Sequence, residues 1–325
     1  MTTNPYIHML SSSLEATPGM EHMCFDRRRA LFGGYDVFHF HWPEVHLGGS
    51  RRPVAIARRL YFAALLARLR LGRTAIVRTV HNVEFPQDIT PWERRMLEAV
   101  ERRTDFRIAL NAQTNIAGGE HAVIPHGDFR AWYSGLGVEP RAAEPDTIGF
   151  VGLVRRYKGV EQLVRTFRDT MEIAPELRLR VSGNPSTLEL AAEIRALAAG
   201  DARIELDLRF LAEEEFAAAI MASEGLVLPY RHMHNSGTVL AVLSLGRPVL
   251  VPRNEVNEAL SAEVGPGWVM MFDGEVSGEA LSQFLASAKR ERSSAVPNLA
   301  GRTWQDVGIQ HREAYRAAIK MHRKR

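Results

Sequence analysis

Short apolar runs rich in β-branched and aromatic residues alternate along the chain with stretches whose apolar positions recur at helical spacing. The strand-like runs of the first part are residues 6–10, 37–40, 75–80, 106–110 and 122–124, and the helix-like stretches between them are 27–32, 53–71 and 92–102. Residues 135–146 are rich in Gly, Pro, Ala and acids and carry no period, so a linker is expected there. A second series then begins. Its strands are expected at 147–151, 177–182, 204–207, 225–228 and 248–251, its helices at 159–171, 186–199, 212–222 and 236–245, and a final helix with a basic end from residue 304 to 325.

Strands alternating with helices imply βαβ units and parallel sheets. The expected fold class is α/β: two Rossmann-like domains, 1–138 and 146–303, whose parallel sheets face one another across a cleft, with 304–325 packing back on the first. The chain has 325 residues, 46% hydrophobic and 24% charged, as ordinary two-domain globular chains do. A formal charge of +3 suits an anionic ligand or an anionic lipid surface and is too small to argue for nucleic acid. Cys24 is the only cysteine, which excludes an internal disulfide and a Cys-rich metal site. Residues 1–14 lack a charged start and apolar core, and no apolar run approaches the ~20 residues of a membrane span. A cytoplasmic location, at the inner face of the plasma membrane, is expected.

The strongest local signal is Phe150-Val-Gly-Leu-Val-Arg-Arg-Tyr-Lys-Gly159, where a strand ends and a helix begins. Arg155 and Lys158 in that loop, beside the helix start at Gly159, form a candidate diphosphate site. The second signal is His234-Asn-Ser-Gly-Thr238, running into a helix that ends at Gly246-Arg-Pro248. Asn235 or Ser236 can cap that helix, Gly237 lets a phosphate approach the backbone, and Thr238 adds a hydroxyl.

On these two segments, in this order, the second domain resembles the nucleotide-binding half of the GT-B glycosyltransferases. Lys158-Gly159 matches the Lys-Gly loop that opens it, Gly246-Arg-Pro248 the helix-to-strand turn after the donor site, and Ile124-Pro-His-Gly127 the turn that closes the first domain. Many retaining members carry two glutamates eight positions apart. Here Met233 and Ala241 stand at those positions.

Phe38-His-Phe-His-Trp-Pro-Glu44 and Thr79-Val-His-Asn-Val-Glu84 each begin in a strand and end in a loop. With them, the chain is similar to bacterial exopolysaccharide mannosyltransferases that extend a lipid-linked oligosaccharide from GDP-mannose. The resemblance implies an acceptor-binding first domain, a nucleotide-sugar-binding second domain, GDP-mannose as donor substrate with no further cofactor, a lipid-linked saccharide acceptor, and inversion. Inversion needs a base for the acceptor hydroxyl and a stabilised leaving diphosphate. Glu44, Glu84 and Asp128 are the candidate carboxylates, Glu44 first, with His41 or His81 as alternatives. His39, His41 and His81 invite a zinc reading, but Arg155, Lys158 and a helix terminus can neutralise the diphosphate without a metal.

Residues 51–73 carry Arg51, Arg52, Arg58, Arg59, Arg68, Arg70 and Arg73 and no acid, around an apolar stretch at 60–67. This is either a helix packed on the first sheet with a basic solvent face or an interfacial helix on anionic lipid. Two other classes stay open: a sugar-nucleotide 2-epimerase of the same fold, and a non-catalytic nucleotide-sugar-binding protein.

Overall fold

The computed structural model describes residues 4–47, 52–82, 89–116, 118–139 and 141–324. The chain forms two units, Met1–Gly127 with Arg302–Arg325, and Asp128–Gly301.

The first unit contains helices α1 (Pro5–Ala16), α2 (Arg27–Phe32), α3 (Arg52–Leu71) and α4 (Pro91–Arg103) and strands β1 (Val37–Phe40), β2 (Ala75–Val80), β3 (Phe106–Ala109) and β4 (His121–Val123). The strands pair in the order β1-β2-β3-β4, all parallel. Every residue of β2 is buried, as expected of a parallel strand covered on both faces. Its side chains alternate accordingly. Ala75 and Val77 pack with Tyr6, Leu10 and Leu14 of α1, whereas Ile76 packs with Phe62, Leu65, Leu69 and Leu97 of α3 and α4.

Residues 6–10 are the first turns of α1, not a strand. Asn4 caps the helix by accepting the Tyr6 N–H at 3.1 Å, and Pro5 stands at the helix start, where no backbone donor is required. Buried Tyr6, Leu10, Ser13 and Leu14 then recur at helical spacing, a period that a five-residue window hides.

The second unit contains α5 (Arg130–Gly135), β5 (Glu144–Val151), α6 (Val160–Arg168), β6 (Arg178–Ser182), α7 (Leu188–Ala198), β7 (Ile204–Asp207), α8 (Glu213–Ala222), β8 (Ser223–Val227), α9 (Gly237–Ser244), β9 (Val249–Pro252), α10 (Glu255–Val264), β10 (Val269–Phe272) and α11 (Gly278–Glu291). Its parallel sheet has the order β10-β9-β8-β5-β6-β7. Phe129 and Tyr133 lie in this unit's core, and the Phe129 N–H donates to Ser244 Oγ at 2.9 Å. The stretch 128–135 therefore packs with the second unit, and the chain leaves the first at Gly127, ahead of the aperiodic segment 135–146.

It returns at Arg302, and α12 (Trp304–His322) joins the first unit. Val307, Ala314 and Ala318 of α12 share the cluster of α1 and β2. Both crossings are fastened within this unit: Arg302 donates to the His126 carbonyl at 3.1 Å, and the Trp304 indole lies over Gly127. A Cβ at Gly127 would come within 2.4 Å of that ring, so this turn admits no side chain.

Candidate active site

In the second unit the strand order reverses between β5 and β8, since β6 and β7 lie to one side and β9 and β10 to the other. Ligands of open α/β sheets bind at such a switch point, beyond the carboxyl ends of the strands. The loops leaving these two strands are 152–159 and 228–236, which hold the two donor motifs.

Gly159 has φ +65°, and a Cβ there would lie 2.4 Å from the Pro229 carbonyl oxygen, so the first loop is pinned against the second. Arg231 N–H also donates to the Tyr157 carbonyl at 2.8 Å. Lys158 Nζ sits 4.8 Å over the Tyr230 ring. Burial, and secondarily Arg155, lowers the Lys158 pKa. Above Gly152, at the end of β5, a Cβ would be 3.6 Å from Lys158 Nζ and 4.0 Å from Thr238 Oγ1. Lys158 and Thr238, 80 positions apart in sequence, thus meet over one backbone position. Arg155 donates to its neighbour's carbonyl, Val154 O, at 3.2 Å. Ser236 is the N-cap of α9, accepting from Val239 N–H at 3.4 Å, while Asn235 precedes it and Gly237 opens the helix.

Sequence reasoning missed Tyr230, whose buried hydroxyl faces Thr238 and Ser236. It also missed Asn254 and Asn257, which hold Met233: Asn254 Nδ2 donates to its carbonyl at 3.0 Å and Asn257 Nδ2 contacts its sulfur at 3.3 Å. The signal for Asn254 was a helix cap, since it accepts Asn257 N–H at 2.9 Å.

In the first unit, β1 and β2 deliver a histidine cluster at their carboxyl ends. His41 Nδ1 and His81 Nε2 are hydrogen-bonded at 3.1 Å, and His81 stacks on Trp42 at 4.0 Å. Tyr6 contacts both rings edge-on and the His126 ring at 4.6 Å. His39 spends both ring nitrogens, on Tyr315 Oη and Thr79 Oγ1, each at 2.8 Å. It does not offer a free nitrogen beside His41 for a shared metal. Burial pushes the pKa of His41 down to about 3, of His81 to about 2, and of His126 and His311 to about 4. All are neutral at pH 7.

Glu44 lies in the single turn of 3₁₀ helix Pro43–His46 that follows β1, where Pro43 ends strand pairing. It is half-buried, and its charge supports that of Arg78, the buried β2 arginine paired with Glu101. Asp128 accepts the Arg130 N–H at 2.9 Å just ahead of α5, and belongs to the second unit. Glu84 lies outside the described residues.

The chain is 37% identical over 317 residues to two GDP-mannose:glycolipid 4-beta-D-mannosyltransferases of Xanthomonas campestris pv. campestris, covering 98% of this chain and 89% of each relative. No family model matches it. Among solved structures, a sucrose-phosphate synthase from Thermosynechococcus elongatus aligns with TM-score 0.58 at 16% identity, over 89% of this chain and 75% of that one. A putative UDP-N-acetylglucosamine 2-epimerase from Listeria monocytogenes aligns with TM-score 0.56 at 13% identity, over 97% and 94%. At these identities the structural likenesses speak for the fold alone.

Proposed function

The chain belongs to the GDP-mannose:glycolipid 4-beta-D-mannosyltransferase family, a glycosyltransferase family with the GT-B fold, and on that premise we propose that it transfers mannose from GDP-mannose to a glycolipid acceptor in exopolysaccharide synthesis. The acceptor hydroxyl oxygen attacks the anomeric carbon, the bond from that carbon to the diphosphate oxygen breaks, GDP leaves, and a base takes the hydroxyl proton. A β-linked product from an α-linked donor requires inversion.

The observation that carries this reading is the meeting of Lys158 Nζ and Thr238 Oγ1 over Gly152 at the switch point. With Arg155, Lys158 neutralises the departing diphosphate, a role that needs no metal ion. Asn235, Ser236 and Gly237, at the start of α9, receive the remaining phosphate oxygens. His41 and His81 are poor bases, because an imidazolium held to a pKa of about 3 or 2 cannot keep a proton at pH 7. They position the site, and Glu44 takes the proton. The test is mannosyl transfer from GDP-mannose to a glycolipid by the purified protein. Lys158→Ala is expected to lower kcat/KM at least tenfold, about 1.4 kcal/mol of transition-state stabilisation, with an unchanged unfolding temperature. Parent kinetics in that variant would remove Lys158 from the site.

The glycolipid acceptor brings the membrane into the reading. Among the described residues no helix is long and apolar enough to cross a membrane. The solvent-facing side of α3 carries exposed Ile56, Leu60 and Leu71 at 56%, 68% and 88%, with exposed Ala57, Ala64 and Ala67 completing the stripe. It is therefore not the plain basic face of a helix packed on a sheet. Arg59 is engaged by Glu93 at 3.0 Å, and Arg68 by the Leu31 and Gly33 carbonyls of α2 and its end. Alongside, α2 exposes Arg27, Arg28 and Arg29, and Phe32 at 85%. An apolar stripe edged by arginines suits an anionic lipid surface. Co-sedimentation with anionic vesicles is expected to fall as salt rises, since attraction is screened over about 10 Å at 0.1 M. Leu60→Glu is expected to weaken it at every salt concentration. Equal sedimentation with neutral and anionic vesicles would contradict the electrostatic part.

A further inference from the structure

Ser11 and Glu15 are one helical turn apart on the last turns of α1 and share a face. The chain then turns at Gly19 and runs back, laying His22 and Cys24 over that face. The Ser11 hydroxyl ends up among three groups: His22 Nε2 at 2.9 Å, Glu15 Oε1 at 3.3 Å and Cys24 Sγ at 3.4 Å. His22 Nε2 and Cys24 Sγ are 3.9 Å apart, and the three donor atoms all lie within 4.8 Å of one another. Among the described residues this is the one group of three or more such side chains that converges so closely.

The Ser11 hydroxyl has one proton to give and two lone pairs, so it bridges these neighbours only while the His22 ring and the Cys24 thiol each turn a proton toward it. A cation can satisfy all three. Zinc bonds of about 2.0–2.3 Å in a tetrahedral arrangement put donor atoms about 3.5 Å apart. The 3.9 Å between sulfur and nitrogen is already close to that spacing. A thiolate, an imidazole and a carboxylate together favour zinc, because calcium and magnesium take oxygen ligands.

We propose that Glu15, His22 and Cys24 form a zinc site, with the Ser11 hydroxyl or a water in the fourth position. The ion fastens the segment 17–26 to α1. It plays no part in the transfer chemistry, whose proposed residues lie elsewhere in the fold.

The experiment is titration of the purified, EDTA-stripped protein with Zn²⁺ in a competing metal buffer, alongside Cys24→Ser, His22→Ala and Glu15→Gln. One zinc per chain is expected, with Cys24→Ser and His22→Ala each raising Kd at least tenfold and Glu15→Gln raising it less. Cobalt(II) added in place of zinc is expected to give a thiolate charge-transfer band, absent in Cys24→Ser. The unfolding temperature of the parent, but not of Cys24→Ser, is expected to rise with zinc. No zinc bound by the parent, or binding equally tight in Cys24→Ser and His22→Ala, would overturn the assignment. The three ligands are exposed or half-buried, so the variants are expected to keep the apo protein's stability.

Discussion

Glu44→Gln is expected to bind GDP-mannose as tightly as the parent, to keep its fold, and to lose about 10²- to 10⁴-fold in kcat, the usual cost of deleting a general base. That range corresponds to about 2.7–5.5 kcal/mol of activation free energy. The expectation rests on the turn after β1, where Pro43 stops the strand and Glu44 follows at once. It rests also on the chemistry of the alternatives: His41 and His81 are held neutral, and Asp128, in the other unit, accepts the Arg130 N–H. The competing role for Glu44 is support of Arg78, whose charge it stabilises. Loss of that role alone would lower stability and leave turnover intact. Single-turnover kinetics on the two proteins separate the cases. A variant that turns over at the parental rate removes Glu44 as the base and makes Glu84→Gln the next measurement.

The second large effect is acid lability of the first unit. His41, His81, His126 and His311 all have pKa values well below the ordinary histidine value near 6.5 because they are buried. Burial, then its histidine neighbours, lowers His39 in the same direction. The sign follows from proton uptake: below about pH 6.5 the unfolded chain binds protons that the folded one refuses, so stability falls as pH falls. The loss continues until each folded-state pKa is reached, about 4 for His126 and His311. For His311, 1% exposed, this is about 1.4 kcal/mol per pH unit in that window. Several such groups act against a total of only about 5–15 kcal/mol. Urea midpoints followed by a first-unit probe are expected to drop steadily from pH 6.5 to 4.5. His311→Asn preserves a donor toward the Val307 carbonyl, now 2.8 Å from Nδ1, and should flatten the slope by nearly one proton. A midpoint independent of pH would refute the account.

Much of the fold was legible because β-branched runs between helical stretches leave few arrangements other than parallel α/β. The lapses have local causes. Residues 6–10 alternate no better than a strand would, and only Asn4 and Pro5 mark a helix start. No element was expected between residues 252 and 303, where β10, four residues of Val, Met and Phe, follows a Gly-Pro-Gly stretch that reads as a loop. Residues 128–135 looked like the tail of the first domain, since nothing local says that Phe129 and Tyr133 pack beneath the second sheet. At the candidate site, Lys158 was legible in a loop and Thr238 at a helix start, but their approach to Gly152 was not, because it depends on which strands are neighbours. Tyr230 carried no motif at all. The histidines were visible one by one. Their mutual hydrogen bond depends on β1 pairing with β2, and their ring contacts on Tyr6 of α1 and Tyr315 of α12, none of which the short motifs contain.

The first unit is finished by residues that follow the second in the chain, since α12 fills the groove between α1 and β2. During synthesis, the ribosome has made the whole of 128–301 before Trp304 exists. The second unit can therefore complete its core while the first still waits, with Ala75, Val77, Leu10 and Leu14 uncovered. The order of maturation is inverted relative to the order of the gene. A premature stop a few codons before Trp304 spares every donor-side residue, yet leaves the amino-terminal half as the part that misfolds, is held by chaperones and is degraded.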